Sequence, residues 1–204
     1  MNEVPTKLKV RAARKNAKRG EKKRRIADSA IEALKELGYA NTSLRDIAAK
    51  SDLSLGMLHY YFEDRSDLII YCVQVYKAEF VRTLVAAIER AEGREEVIEA
   101  FSRSLAAALL EDTMTHRLWY DIRTQAMFDA IFRPVVRDIE AKLIDLVRRA
   151  LIAAGHEVSP KVEILYALLD GVFFKLMQDQ FDKATHRDAH EMTAIFRALL
   201  EEVL

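Results

Sequence analysis

The sequence predicts an all-α protein. Half of its 204 residues are apolar, whereas only six are Gly and three are Pro. Such a low content of turn-forming residues favours long helices over turn-rich sheets. Apolar residues recur with the three- and four-residue spacing of a helix face through most of the chain, and no segment alternates strictly between apolar and polar residues. Ala, Leu, Glu, Arg and Lys, which are strong helix formers, dominate the composition.

The net charge of zero hides a concentration of positive charge at the N-terminus. Residues 1–25 contain eleven Lys and Arg residues and only two acidic residues, Glu3 and Glu21. Dense charge with few apolar residues predicts a disordered arm over residues 1–20. A basic end on a neutral chain indicates a polyanionic partner at that end, and the alternative is a solvated tail without a partner.

Cysteine content and hydropathy favour a cytoplasmic protein. Cys72 is the single cysteine, which excludes an internal disulfide and is typical of a reducing compartment. No apolar run approaches the roughly 18 residues of a membrane span. The basic N-terminus also lacks the apolar core of a secretory signal.

Residues 42–68 have the pattern of two short helices joined by a tight turn. Leu44, Ile47 and Ala48 would share one buried face of the first helix. Ser43 and the acidic residue three positions later have the spacing of a capping box, which satisfies free amides at a helix start. After this helix the chain must turn sharply at Asp52, a residue type that tolerates left-handed backbone.

The second short helix has distinct inner and outer faces. Ser54 can cap its start, and Leu58, Tyr61 and Phe62 recur at the spacing of an inward face. The outer face is then small and chemically mixed, with Leu55, Gly56, Met57, His59 and Tyr60. A short helix with such a face suits the major groove of DNA.

Flanking helices complete this unit. Residues 21–37 form one predicted helix, which ends at Gly38. We expect Asp64 to cap a fourth helix whose first turn contains Arg65. A cation beside free backbone amides suits a phosphate, and the alternative is a surface Arg paired with Asp64 or Asp67.

The pattern from about Lys22 to Leu68 resembles the DNA-binding domain of the TetR family of bacterial regulators. The shared features are a Thr/Ser start, the run RDIAA, a turn ending in Ser, G-x-L and YYF-x-x-R-x-x-L. Three positions differ from the usual family pattern: Ser51-Asp52 replaces Ala-Gly, His59 replaces Tyr, and Arg65 replaces Lys. The resemblance implies a DNA-binding domain over residues 21–68 that contacts double-stranded operator DNA through Thr42, Ser43, Arg45, Ser54, Leu55, Gly56, Met57, His59, Tyr60 and Arg65.

The remaining chain is predicted to be helical throughout. A long helix from about Arg65 to Glu92 would lead into a domain of residues 69–204. The apolar repeats predict further helices at Glu95–Leu110, Thr115–Ile131, Pro134 to Gly155, Lys161–Phe181 and Met192–Leu204.

The helix after Pro160 is apolar on nearly all sides. One face can meet the chain's own core, and the other then needs a partner. The resemblance implies a homodimer in which the last two helices of each subunit form a four-helix interface. The alternative is a central helix buried within one monomer.

The resemblance also implies that residues 69–204 bind a small-molecule inducer. An apolar cavity with a few convergent polar groups is typical of such a site. The candidate ligand-binding residues are Phe101, Trp119, Tyr120, Arg123, Met127, Tyr166, Asp170, Phe173 and Met177. The alternative for the apolar members is core packing. Arg123 and Asp170 lie among apolar neighbours and either bind the ligand or pair with each other.

No enzymatic or metal-dependent function is indicated. Asp182, His186 and His190 have helical spacing that could hold a divalent metal, but the residues between them are typical of a polar connection, and we predict no metal site. The chain lacks P-loop, G-x-S-x-G and HExxH motifs, so we expect neither a catalytic residue nor a cofactor. Cys72 lies in an apolar stripe typical of packing.

Two hypotheses of function follow. The first is a ligand-responsive DNA-binding transcriptional regulator, in its simplest form a dimeric repressor released from its operator by a small molecule. The second is a DNA-binding nucleoid or cell-division factor whose C-terminal domain binds a protein partner. A well-formed cavity would favour the first, and an exposed apolar patch would favour the second.

Overall fold

The computed structural model describes residues 7–40, 42–50, 53–157 and 161–204, without the side chains of residues 7–13 and Val203. Within these ranges it contains eight α-helices, one short 3-10 turn and no strand, so the predicted all-α class is confirmed. None of the described helices could cross a membrane. The helices are α1 (Lys7–Leu37), α2 (Leu44–Lys50), α3 (Leu55–Tyr61), α4 (Arg65–Ile88), α5 (Gly93–Phe128), α6 (Arg133–Ala153), α7 (Val162–Asp179) and α8 (Ala189–Val203).

The chain divides into two compact units, residues 1–75 and 76–204. The division falls inside α4, whereas the sequence placed it at the start of that helix. We call these the N-terminal and C-terminal units.

Helix α1 begins earlier than the sequence predicted. Residues 7–20, expected to be disordered, are helical, and residues 1–6 lie outside the described residues. Lys, Arg and Ala have high helix propensity, and no Pro follows Pro5 in this stretch. The basic segment can therefore extend a helix whose later turns are anchored in a core.

That core holds the N-terminal unit together. Ile26, Ala30 and Leu34 of α1 are buried, as predicted. Gly38 ends the helix with a left-handed φ of 76°, and its amide donates to the Leu34 carbonyl at 2.9 Å. A side chain at this φ would be strained, which explains glycine here.

Helix α5 replaces two predicted helices. It runs through the predicted break, where Asp112 has non-helical φ and ψ of −127° and 25°. The Thr113 hydroxyl donates to the Leu109 carbonyl at 2.5 Å, which takes up a backbone acceptor at the bend. The predicted interruption is therefore a kink within one helix.

The apolar residues of the last two helices divide between core and surface. Phe196 of α8 is fully buried in the core of the C-terminal unit and is therefore not available to an interface between subunits. Leu199 is half-buried. On α7, by contrast, Ile164 and Leu168 are 60% and 47% exposed. An unpartnered apolar face therefore exists, and α7 supplies its large side chains.

Candidate functional site

The start of α2 is fixed by a reciprocal pair of hydrogen bonds. The Ser43 amide donates to the Asp46 carboxylate at 2.8 Å, and the Asp46 amide donates to the Ser43 hydroxyl at 3.2 Å. This confirms the predicted capping box. The same contacts with Ser43 hold the pKa of the Asp46 carboxyl below its usual value.

Helix α3 presents the predicted inner and outer faces. The Ser54 hydroxyl accepts from the Met57 amide at 3.1 Å and caps the helix. Leu58 is buried on the inner face, and Tyr60 is 69% exposed on the outer face. Gly56 and His59 are exposed beside it, with Leu55 and Met57 half-buried. The helix therefore offers a narrow, chemically mixed surface to a partner.

Arg65 makes backbone contacts that neither sequence interpretation included. Its Nε donates to the Thr42 carbonyl, its Nη2 donates to the Tyr39 carbonyl, and its guanidinium lies 4.3 Å from the Tyr39 ring centroid. These contacts tie the segment before α2 to the start of α4. Among the described residues it forms no ion pair with Asp64, which instead caps α4 by accepting from the Asp67 amide at 2.8 Å. A phosphate contact would use its remaining N–H groups and stays a prediction.

Two other predicted DNA contacts, Thr42 and Arg45, differ in exposure. Thr42 is buried, and its hydroxyl donates to the Gly38 carbonyl, so its side chain holds the turn. Arg45 is exposed and open to a partner. The turn residues Ser51 and Asp52 lie outside the described residues.

One exposed cation of α1, Arg19, lies near the outer face of α3. Arg14, Lys15, Lys18 and Arg19 are all exposed, and the Arg19 guanidinium is 5.9 Å from the Tyr60 ring centroid. Positive charge and the α3 outer face therefore share one side of the N-terminal unit, which suits a polyanion.

The C-terminal unit contains a cavity of about 50 Å³. It is lined by residues from four helices. Five of the predicted ligand-binding residues contribute to its wall: Phe101, Tyr120, Tyr166, Asp170 and Phe173. Five of the nine predicted ligand-binding residues therefore line the same cavity.

The other predicted ligand residues lie elsewhere. Arg123, Met127 and Met177 line an open groove of about 640 Å³, which shares Tyr120 with the cavity. Trp119 is buried in the core and lines neither space. Tyr120 is thus the side chain common to both spaces.

Asp170 and Arg123 pair with each other, as the simpler interpretation proposed. Arg123 Nη1 donates to Asp170 Oδ2 at 2.6 Å, and Arg123 Nε lies 3.2 Å from a carboxylate oxygen of Glu140. The Tyr120 hydroxyl also donates to Asp170, at 3.1 Å. Both carboxylates therefore already have cationic partners.

Lys77 of α4 is a wall residue that the sequence analysis missed. It is only 4% exposed, and its ammonium lies 4.7 Å from the ring centroid of Phe80 and 5.2 Å from those of Tyr76 and Trp119. Aromatic faces attract cations, but burial still lowers the pKa of Lys77 to about 7. One signal was available: Lys77 lies in register with the buried apolar stripe of α4.

Within the described part of the chain, further buried polar atoms of the C-terminal unit have no hydrogen-bond partner. They are Tyr166 Oη, Trp119 Nε1, His116 Nε2 and Thr115 Oγ1. The other ring nitrogen of His116 is bonded to the Tyr76 hydroxyl, and burial keeps the pKa of His116 well below its usual value. Buried polar atoms without partners are uncommon in proteins. Their presence here indicates a candidate binding site within the apolar core.

The residues considered for metal or covalent chemistry are not assembled for it. Asp182 and His186 lie in the connection before α8, and His190 lies within α8. The described residues include no group of three or more His, Cys, Asp or Glu side chains placed to hold a metal. Cys72 is fully buried, and burial raises the pKa of its thiol well above the usual value.

Together, the capped α2–α3 pair, its exposed outer helix and the neighbouring cations define a helix-turn-helix DNA-binding protein. Comparison with known proteins agrees. Residues 26–72 match a family model described as bacterial regulatory proteins, tetR family. This segment is therefore similar to the DNA-binding domain of the TetR family, and the chain is a DNA-binding transcriptional regulator.

Similarity extends beyond the DNA-binding unit. The HTH-type transcriptional regulator PksA of Bacillus subtilis (strain 168) is 24% identical over 165 residues, which cover 78% of this chain and 80% of PksA. The structure of the multidrug binding protein EbrR complexed with imidazole has a TM-score of 0.64 at 24% identity and covers 87% of this chain and 93% of that one. FadR of Bacillus subtilis in complex with stearoyl-CoA has a TM-score of 0.66 at 17% identity, with coverage of 87% and 95%.

Lys77→Met should raise the free energy of unfolding at neutral pH, because it removes a buried charge and keeps an apolar stem. Since the folded pKa is about 7 against an ordinary 10.5, the unfolded state binds more protons between these values. Wild-type stability should therefore rise with pH in that interval, by up to about 1.4 kcal/mol per pH unit. The gain in the free energy of unfolding that Lys77→Met gives is largest below the folded pKa of about 7 and disappears as the pH approaches 10.5.

Urea unfolding at about pH 7 and about pH 9 measures this effect. Lys183→Met, at an exposed position, should show no such pH dependence. If Lys77→Met raises the free energy of unfolding equally at both pH values, this result would contradict a buried Lys77 with a lowered pKa.

Proposed function

We propose that this protein is a dimeric transcriptional repressor, acting in the cytoplasm, that a small molecule releases from operator DNA. The observation that carries the proposal is the presence, in one chain, of an exposed recognition helix and of a cavity lined by apolar side chains and buried polar groups. The first can read DNA, and the second can respond to a ligand.

Recognition of DNA is assigned to the outer face of α3. Gly56, His59 and Tyr60 are its exposed residues, and Arg45 of α2 is exposed as well. These side chains would contact base edges in the major groove. The cations of α1 would contact phosphates, which add affinity but little sequence preference.

Replacing four exposed cations in the N-terminal half of α1 with Gln should weaken binding to every duplex. Each lost phosphate contact should reduce the slope of log affinity against log salt by about 0.9, while the preference for operator over random DNA should persist. The substituted residues are Arg14, Lys15, Lys18 and Arg19.

The control removes four exposed cations from the C-terminal unit: Arg90, Arg103, Lys142 and Lys183. Fluorescence anisotropy across a salt series compares the variants. A salt slope that is unchanged in the α1 variant would remove these residues from the DNA contact.

Dimerisation is assigned to the exposed face of α7 together with α8. Ile164 and Leu168 are large and exposed, and Ala194 and Ala198 on α8 are small and exposed. A two-fold arrangement would bury these faces against their copies. Small residues on one helix allow close approach of a neighbouring helix.

Leu168→Glu should yield monomers with weaker operator binding, since two half-sites about 34–36 Å apart are then no longer occupied together. Ile152→Glu is the matched control, because Ile152 of α6 is an isoleucine of similar exposure, 54% against 47% for Leu168. Sedimentation velocity measures the assembly. A Leu168→Glu variant that remains dimeric would move the interface away from α7.

Effector binding requires the cavity to widen. A volume of about 50 Å³ holds one or two waters, whereas ligand pockets span roughly 300–1,000 Å³. EbrR and FadR, whose folds are similar, have been captured with imidazole and with stearoyl-CoA, which supports a small-molecule ligand for this protein. A ligand that binds only the widened state would shift the protein towards that state.

Ligand and operator should oppose each other reciprocally. With a typical coupling, saturating ligand should lower operator affinity about 5–150-fold, and operator should lower ligand affinity by the same factor. Tyr60→Ala should weaken operator binding and spare the ligand, because Tyr60 is exposed on α3. Tyr166→Phe, which removes only a buried hydroxyl, should alter ligand binding and spare the operator.

Paired titrations of each partner with and without the other measure the coupling. The ligand is any compound that a thermal-shift screen shows to stabilise the protein. If that ligand binds equally well with and without operator, release by an effector is excluded.

The protein-partner alternative has one structural feature in its favour. Met127 and Phe128 at the end of α5 and Ile131 after it are 67%, 79% and 46% exposed. The relatives with similar sequences are described as transcriptional regulators, so the effector hypothesis is preferred. Equal ligand affinity in the titrations above would reverse that preference.

A further inference from the structure

Lys77 has hydrogen-bonding capacity that the protein does not use. Its ammonium carries three N–H donors, and in the described part of the chain it makes contacts with aromatic rings but no hydrogen bond or ion pair. Lys77 nevertheless lines the cavity of the C-terminal unit. A buried ammonium without an acceptor is costly, and an acceptor in the cavity would relieve that cost.

Tyr166 adds a second unused donor to the same wall. Its hydroxyl is buried and has no hydrogen-bond partner among the described residues, and its side chain lines the cavity together with Lys77. The two residues come from different helices, α4 and α7. Two donors from different helices therefore line this cavity without an acceptor among the described residues.

The acidic groups nearby are not available to a cationic ligand. Asp170 accepts from Arg123 and from the Tyr120 hydroxyl, and Glu140 is paired with the same Arg123. The rings of Phe80 and Trp119 already face the Lys77 ammonium. A second cation would meet an occupied aromatic site and a like charge.

Besides Lys77, Tyr166, Tyr120 and the Asp170 carboxylate paired with Arg123, the wall of the cavity is apolar. Phe101, Leu105, Leu143, Leu146, Leu169 and Phe173 supply it. Such a surface favours a hydrocarbon body, because each buried methylene contributes about 0.8 kcal/mol. The ligand chemistry is therefore apolar apart from one group able to accept hydrogen bonds.

We infer that the effector is an amphiphilic anion, an apolar molecule with one carboxylate that accepts hydrogen bonds from Lys77 and Tyr166. This inference rests on the proposed function, since it names the class of effector. The carboxylate replaces the missing acceptor, and the apolar body occupies the cavity as it widens. No covalent step is involved.

Three compounds with the same apolar chain test the choice of head group: decanoate, decanol and decylammonium, each used below its micellar concentration. Equilibrium dialysis with the full-length protein gives their dissociation constants. Decanoate should bind about 10-fold to 100-fold more tightly than decanol, as expected for hydrogen bonds to a charged group. Decylammonium should bind more weakly than decanol.

Two variants assign the preference to its donors. Lys77→Met should bring the decanoate and decanol constants to within about 3-fold, and Tyr166→Phe should reduce the preference by a smaller factor. Lys183→Met is the control and should keep the wild-type preference. Far-ultraviolet circular dichroism and the thermal midpoint show that each variant is folded.

A pH series on the wild-type protein gives an independent readout. Burial lowers the pKa of free Lys77 to about 7, so above that value decanoate must bind together with a proton. Decanoate affinity should then fall by up to about 10-fold per pH unit between about pH 7 and pH 9, while decanol affinity stays constant.

The neighbouring groups should not produce this pH dependence. Asp170, Glu140 and Arg123 form the paired cluster beside the cavity. Burial raises the pKa values of Tyr76, Tyr120 and Tyr166 above the usual value, and it lowers that of His116 well below the usual value. The three tyrosines and His116 therefore each keep one protonation state across the interval.

The outcomes separate this inference from the proposed function. The anion inference is overturned if decanol or decylammonium binds as tightly as decanoate, if the preference survives Lys77→Met, or if none of the three binds. The proposed function is judged instead by whether a bound compound weakens operator binding. A cationic effector that releases operator would refute the inference alone, whereas decanoate that binds through Lys77 without affecting operator affinity would refute the function alone.

Discussion

A lysine ammonium enclosed by apolar helices is the constraint on which the C-terminal unit depends. Removing such a charge from water is unfavourable by several kcal/mol unless it is compensated. Three aromatic rings around Lys77 supply part of that compensation. The nearby carboxylates do not complete it, because Asp170 is committed to Arg123. A fold optimised for stability alone would place an apolar residue here, so the remaining deficit is characteristic of a functional position.

The N-terminal unit has the opposite character, since its polar groups are satisfied locally. Ser43, Ser54 and Asp64 each bond a backbone amide three residues further along the chain. Arg65 then joins these local pieces through carbonyls more than twenty positions earlier in the sequence. This rigid support lets a helix of seven residues hold its outer face in a defined orientation, although such a short helix would not be stable alone.

The same contrast explains what the sequence could predict. Helix caps depend on residues within one turn, so Ser43, Ser54 and Asp64 could be assigned from spacing alone. The fates of Lys77, Arg65 and Phe196 depend on distant partners. A lysine in an apolar register can extend its head to solvent, and Lys77 does not. Phe196 and Leu199 belong to one stripe, and only the packing of α8 on the other helices shows which is core. The high charge density of residues 7–20 predicts disorder, yet this segment is helical. Its Lys, Arg and Ala residues have high helix propensity, which outweighs the effect of charge density.

The kink at Asp112 has a mechanical consequence for the cavity. Phe101 and Leu105 precede it on α5, and Tyr120 follows it, yet all three line the same space. Two parts of the wall therefore belong to one helix that is kinked between them. Rotation about φ and ψ of Asp112 would move the segment that contains Tyr120 as a unit, without unwinding the helix on either side of the kink. Because Tyr120 also borders the outer groove, the same rotation would join the small interior space to solvent.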